Sequence, residues 1–172
     1  MAFMAGAGVT QVVHRCESAK VSGNLDLSGC SLTCVPNAVY FILKGFEIYS
    51  CNLRQNELKS FPKKLIEKFP KLTGILEDNA VESIPAEIGD WKTIRGLNLS
   101  KNKLTTFPEP LLNLQHLNIL DLSNNQITDV ERISESLPEL THLNLSGNPL
   151  STAVRELLNR PNKLKTLKVV LE

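Results

Sequence analysis

The sequence predicts an α/β solenoid, bent into a curved horseshoe arc of six repeats of 23 to 26 residues with a partial seventh strand and an N-terminal capping helix. Three observations carry that expectation. The phrase "LNLSKNKL" at 97–104 returns as "LDLSNNQI" and "LNLSGNPL", which aligns Asn102, Asn125 and Asn148 at intervals of 23 residues. Upstream, "LRQNEL" and "LEDNAV" supply Asn56 and Asn79 at the same interval, and "LSGCSL" puts Cys30 in that column 26 residues before Asn56. Behind the phrase, the chain turns back through "FP" or "IP", at Pro62, Pro85 and Pro108. A fixed period in the range of about 20 to 29 residues marks stacked units, none of which buries its apolar face alone.

Residues 1–22 read as the cap. Val9, Val12, Val13 and Cys16 fall at i, i+3, i+4 and i+7, with His14, Arg15, Glu17 and Lys20 elsewhere, the spacing of an amphipathic helix. This start is rich in Ala and Gly but lacks the basic segment and sustained leucine run of a signal peptide, so secretion is not expected.

The six repeats occupy 23–150. In "IRGLNLSKNKL", Ile94, Leu97, Leu99 and Leu104 are expected in a core shared between coils, with Gly96, Asn98 and Ser100 pointing the other way, as strand alternation requires. Parallel strands covered on both faces read as unbroken apolar runs, so one polar side implies that one face of the sheet stays open. Asn102 falls where the chain leaves the strand and turns. A side-chain amide both donates and accepts, so the column Cys30, Asn56, Asn79, Asn102, Asn125 and Asn148 is expected to satisfy buried turn backbone. The prolines open irregular or short helical returns, whose bulk behind short strands curves the array.

One repeat is irregular. Phe61 to Leu72 takes 11 steps where Phe107 to Leu117 takes 10, and the following strand, "LTGILEDN", is one residue short. That places Gly74 at a core position and Ile75 on the open face, and predicts a local bulge or strained strand. In 151–172, Ala153, Val154, Leu157 and Leu158 read as a helical return, and Leu164, Leu167 and Val169 as the framework of an edge strand charged by Lys163, Lys165 and Lys168.

A chain of 172 residues with a net charge of +1 is one domain, 1–172, with no global field toward nucleic acid or an anionic membrane. No stretch is long and apolar enough to span a bilayer. Cys16, Cys30, Cys34 and Cys51 all lie in the first third and two of them hold framework positions, which favours buried thiols over disulfide caps or a zinc site, and a reducing, cytoplasmic setting. The sequons at Asn98 and Asn144 arise from the repeat phrase itself. His14, His116 and His142 are scattered, and there is no phosphate loop, GxSxG or paired CxxC. No catalysis, metal or cofactor is expected.

The open face is the better candidate. The column between the central leucines reads Asp26, Asn52, Ile75, Asn98, Asp121, Asn144 and Lys168, and the next outward column Ser28, Arg54, Glu77, Ser100, Ser123, Ser146 and Val170. At about 4.8 Å between strands, Arg54 is expected beside Glu77 and Asp78 beside Lys101, pairs that cancel charge and ill suit phosphates. Seven strands make a face roughly 30 Å wide, fit for a protein surface or a helix. With His142, the candidate partner-binding set is Asp26, Asn52, Arg54, Ile75, Glu77, Asp78, Asn98, Lys101, Asp121, Ser123, His142 and Asn144. Elsewhere Lys59, Lys63, Lys64, Lys68 and Lys71 cluster on the second return, where a solvated convex surface accounts for them.

On its repeats, its "FP" and "IP" returns and its cap, the chain resembles the intracellular class of short leucine-rich repeat proteins. The resemblance implies partner binding without catalysis, and kin that bind small GTPases or phosphatase subunits on the concave face offer analogies. The expected function is a non-enzymatic protein–protein interaction module or adaptor, monomeric, binding a protein on its concave face and neither nucleic acid nor membrane. The alternatives are a secreted or cell-surface recognition domain and an accessory subunit of a GTPase or phosphatase complex.

Overall fold

The computed structural model describes the backbone of residues 2–75, 77–130, 137–159 and 168–171, and the side chains of 8–72, 77–130, 137–158 and 168–171. A parallel sheet organises the chain. Strands β1 (Asn24–Asp26), β2 (Ser50–Asn52), β3 (Thr73–Ile75), β4 (Gly96–Asn98), β5 (Ile119–Asp121), β6 (His142–Asn144) and β7 (Lys168–Val170) lie side by side in chain order. Their middle residues align in register as Leu25, Cys51, Gly74, Leu97, Leu120, Leu143 and Val169. Each strand is only three residues long, so two residues face outward for every one that faces in.

The core behind the sheet is built from two sources. The strand side contributes the middle residues and the leucines that follow, among them Leu27, Leu53, Leu99, Leu122 and Leu145, all buried. The returns contribute Val39, Leu65, Ile88 and Leu111, with Trp91 packed edge-to-face on Phe61 at 6.2 Å between ring centroids.

Proline sets where the early returns begin. Helix α2 (Asn37–Ile42) follows Pro36, and the 3-10 turns Ala86–Asp90 and Glu109–Asn113 follow Pro85 and Pro108. These prolines sit extended (ψ 141° at Pro36, 155° at Pro85) and need no N–H at the point where the helical turn starts. The longer second return forms an α-helical turn, α3 (Lys64–Lys68), closed by Phe69 N–H donating to Leu65 O at 2.9 Å. The extra residue is therefore taken up by exchanging a 3-10 turn for an α turn. No bulge interrupts the described pairing: Ser50, Cys51 and Asn52 stand opposite Thr73, Gly74 and Ile75. Leu76, the next residue of the shortened strand, lies outside the described residues.

The N-terminal helix α1 (Ala2–Ser22) buries Val12, Cys16 and Ala19, while Val9 and Val13 stay exposed. Its packed stripe is rotated from the expected one, because Ala19 and not Val9 continues the row through Cys16. Gly23 ends the helix at φ +70°, with its N–H on Ala19 O at 2.8 Å, and a Cβ there would come within 2.6 Å of the Tyr49 ring. Arg15 lies against the free edge of β1: its Nη1 donates to Asp26 O at 2.9 Å and Ser28 O at 2.8 Å.

Helix α4 (Thr152–Asn159) buries Val154 and Leu158 and exposes Ala153 and Leu157. Arg155 on it donates to Asn148 O, Leu150 O and Leu171 O at 3.1–3.3 Å. In β7, Lys168 stands opposite His142 and Val170 opposite Asn144, so the column expected to end in Lys168 ends in Val170. Lys163, Leu164, Lys165 and Leu167 lie outside the described residues. Among those described, no helix is long and apolar enough to cross a membrane.

Candidate interaction face

The asparagine column comes first, because it fixes where each strand stops. The Oδ1 of Asn56, Asn79, Asn102, Asn125 and Asn148 accepts from Leu32, Leu58, Val81, Leu104 and Ile127 N–H respectively, at 2.9–3.2 Å. The Nδ2 groups donate to turn carbonyls, Asn125 to Leu99 O and Leu122 O, and Asn148 to Leu122 O and Leu145 O, at 2.9–3.0 Å. Cys30, half-buried, replaces the amide with a longer contact from Sγ to Ser28 O at 3.6 Å.

A second row of side-chain caps lies on the outward face. Asp26, Asn52, Asn98, Asp121 and Asn144 each turn Oδ1 back to accept the N–H two residues on, at 2.9–3.1 Å. These are Asx turns, which close the strand and pin the side chain that makes them. Asn144 Nδ2 also donates to Asp121 Oδ2 at 3.1 Å, and Asn98 Nδ2 to Glu77 Oε2 at 3.4 Å. The column is held before any partner arrives. For Asp26, burial pushes the carboxyl up, but the Ser28 hydrogen bonds and Arg15 together bring it below its usual range.

Strand alternation ends with these turns. Ser100 and Ser123, expected on the open face, turn inward and are only 4% and 5% exposed. Ser123 therefore offers a partner almost nothing. Ile75 pairs through its backbone with Asn52 and Asn98, and its side chain lies outside the described residues.

The charges centre on Glu77. Its carboxylate, 19% exposed, lies 3.7 Å from Arg54 Nη2 and 3.1 Å from Lys101 Nζ. Lys101 thus pairs with Glu77 and not with Asp78, which corrects the expected partner. The reason is conformational: Asp78 (φ +57°) and Lys101 (φ +53°) sit beyond the strand ends in the left-handed turn, as do Gln55, Asn124 and Gly147 at the same repeat position. They are not cross-strand neighbours.

A further outward column was not read as a column in the sequence, although Gly96 and His142 were placed outward. It runs through the first strand residues Asn24, Ser50, Gly96, Ile119, His142 and Lys168. Ile119 is 53% exposed, in register between Gly96 and exposed His142. The signal was there: the alternation that placed Asp121 outward places Ile119 outward too. Beside it Glu139 joins His116 Nδ1 (2.9 Å) and Arg95 Nη1 (3.5 Å), and these hold its carboxyl below the usual range.

On the second return, Lys63 pairs with Glu87 at 3.1 Å, Lys71 with Glu47 at 2.5 Å, and Lys64 donates to Asn37 Oδ1 at 2.9 Å. All four cysteines are free thiols. Cys16 and Cys51 are buried, and burial pushes the Cys51 thiol up to about 12, but Cys34 is exposed, unlike the buried thiols expected.

Known proteins share this architecture. A leucine-rich repeat protein of Leptospira interrogans aligns over 80% of this chain and 40% of its own, with a TM-score of 0.65 and 27% identity. The leucine-rich repeat domain of APL1B aligns over 88% and 44%, with a TM-score of 0.64 and 24% identity. The TLR13–ssRNA13 complex aligns over 87% and 21%, with a TM-score of 0.66 and 25% identity. The chain thus spans less than half the length of these structures. No curated protein matches it significantly in sequence. The family model for the leucine-rich repeats of leucine-rich repeat and WD repeat-containing protein 1 matches residues 70–170. With that match over more than half its length, on a parallel sheet whose strands return with the asparagine column, the chain belongs to the leucine-rich repeat family.

Proposed function

We propose that the protein is a non-enzymatic interaction module or adaptor, a monomer in the cytoplasm, that binds a protein partner on the concave strand face of a six-repeat horseshoe capped by α1. Leucine-rich repeat domains generally mediate protein–protein interaction. The observation that carries the reading for this chain is the outward face itself. Its polar column is pinned by Asx turns, while Arg54, Lys101, Ile119 and His142 stand exposed around it. Side chains already immobilised lose little entropy on binding. The cap and the order of the irregular repeats also resemble leucine-rich repeat-containing protein 20, a resemblance that adds no biochemical role.

Proximity labelling with the intact chain tests the reading against two face variants, the charge swap Arg54→Glu with Glu77→Arg, and Ile119→Asp. A set of labelled proteins lost in both variants, with melting unchanged, supports it. If no labelled protein depends on the face, the reading fails. Proteins lost only on Lys63→Glu with Lys64→Glu belong to the opposite surface.

A further inference from the structure

A groove of about 540 Å³ lies between the starts of the first three returns. That volume falls within the range of about 300–1,000 Å³ typical of ligand sites. Pro36, Pro62 and Pro85, one from each of three successive repeats, form its walls. Leu58 and Phe61 line its floor and are themselves buried, and the half-buried Tyr40 ring, which also lines it, is stacked on Phe69 at 6.2 Å. The cavity is open along its length, apolar in its lining and built on a rigid frame.

Its charge is one-sided. Lys63 and Lys64 stand exposed at the mouth, and no carboxylate is among the lining side chains. The segment 57–71 carries five lysines against Glu57 and Glu67, in a chain whose net charge is only +1. Neither mouth lysine is firmly committed: Lys63 meets Glu87 in a pair about half exposed on both sides, and Lys64 donates to the neutral Asn37 amide, with no ion pair among the described residues. Exposed pairs of this kind contribute about 0–1 kcal/mol, so an incoming carboxylate displaces them at little cost. The three prolines themselves present no N–H group to an anion, which leaves the mouth lysines as the charged donors of the lining. A second copy of the chain brings lysine against lysine across a two-fold axis, which disfavours self-association here.

We propose that this groove is a second docking site, for an acidic peptide segment that seats an aromatic or aliphatic side chain between the prolines and directs its carboxylates to Lys63 and Lys64. The site is independent of the strand face and stands whether or not that face binds a partner.

Cys34 is exposed and lines the groove, so it tethers probes without any engineered residue. The native chain is equilibrated with disulfide-linked peptides Cys-Gly-Phe-Glu-Glu, Cys-Gly-Ser-Glu-Glu and Cys-Gly-Phe-Lys-Lys under rising glutathione, and adducts are read by intact mass, with Cys34→Ser as the blank. The Phe-Glu-Glu adduct is expected to survive about tenfold more glutathione than the other two, equivalent to about 1.4 kcal/mol. Lys63→Glu with Lys64→Glu is expected to remove its advantage over Phe-Lys-Lys. Equal survival of the three adducts overturns the proposal. So does retention that follows phenylalanine alone, the mark of an uncharged or lipid-like occupant, or a preference that survives the charge reversal.

Discussion

Asn102→Leu tests how the array is held together. Asn102 is 6% exposed; its Oδ1 accepts from Val81 N–H at 3.0 Å, and its Nδ2 donates to Leu99 O at 3.0 Å and Ser100 O at 3.1 Å. These bonds do not count equally. Leu99 O also accepts from Asn125 Nδ2 at 3.0 Å and Ser100 O from Asp78 N–H at 3.0 Å, so both carbonyls keep a partner in the variant. Val81 is fully buried, and its N–H is left without this acceptor. An orphaned buried donor costs about 1–3 kcal/mol and each compensated bond about 0.5 kcal/mol, which sums to about 3 kcal/mol. With a urea slope of about 2 kcal/mol/M, the midpoint falls by about 1.5 M. Far-UV circular dichroism and the fluorescence of Trp91, the sole tryptophan and buried in the core, provide two probes, since repeat arrays depart from two-state behaviour. An unchanged midpoint by both probes refutes the reasoning.

The left-handed turn position offers a pair of opposite tests by thermal melting. Gln55→Gly, at φ +56°, is expected to stabilise by about 0.5 kcal/mol, the balance of left-handed strain against glycine's entropy. Gly147→Ala, at φ +68° with a Cβ 2.5 Å from Asn124 Oδ1, is expected to destabilise by about 1–2 kcal/mol, part of it recovered in an Asn124→Gly background. Arg15→Met keeps the aliphatic stem but frees the β1 carbonyls. It is expected to cost about 1–2 kcal/mol and to raise self-association in sedimentation. Thiol reagents at pH 8 should modify Cys34 first and Cys51 last. Because burial raises Cys51 from 9.0 to about 12, the folded state holds its proton longer than the unfolded one. The stability this contributes is complete below pH 9.0 and is lost as pH rises toward 12, visible as a falling melting temperature absent in Cys51→Ala.

The repeat was legible because its marker, one asparagine per turn, meets a demand that recurs identically in each coil. Strand polarity and the inward leucines followed from it. What failed to show were features set beyond the three-residue strands. Ser100 and Ser123 broke the alternation because Asn98 and Asp121 had already turned the chain. Lys101 found Glu77 because backbone φ, invisible in composition, decides where a turn side chain reaches. The seventh strand slipped by two residues in the reading because no asparagine follows it to anchor the count. The edge contacts of Arg15 and Arg155 depend on how each terminal helix packs on the chain beside it, which no local pattern encodes. The groove likewise arises from three prolines brought together only by stacking.

The asparagine amides give the array a direction. Each Oδ1 accepts from the turn of the repeat before it, so Leu58, Val81, Leu104 and Ile127 N–H are each secured by the coil that comes next. Opening that starts at the C-terminal end strips the preceding turn of its acceptor and propagates backward like an undone zip. Opening that starts at α1 removes a different set, the carbonyls of the preceding repeat that accept from later donors, as Leu53 O does from Asn79 Nδ2 and Leu32 O from Glu57 N–H. The two ends therefore open by losing different groups, and the C-terminal one is latched by Arg155, whose guanidinium bonds Asn148 O, Leu150 O and Leu171 O. Loosening that latch makes the amide protons of Ile127, Leu104, Val81 and Leu58 exchange in that order.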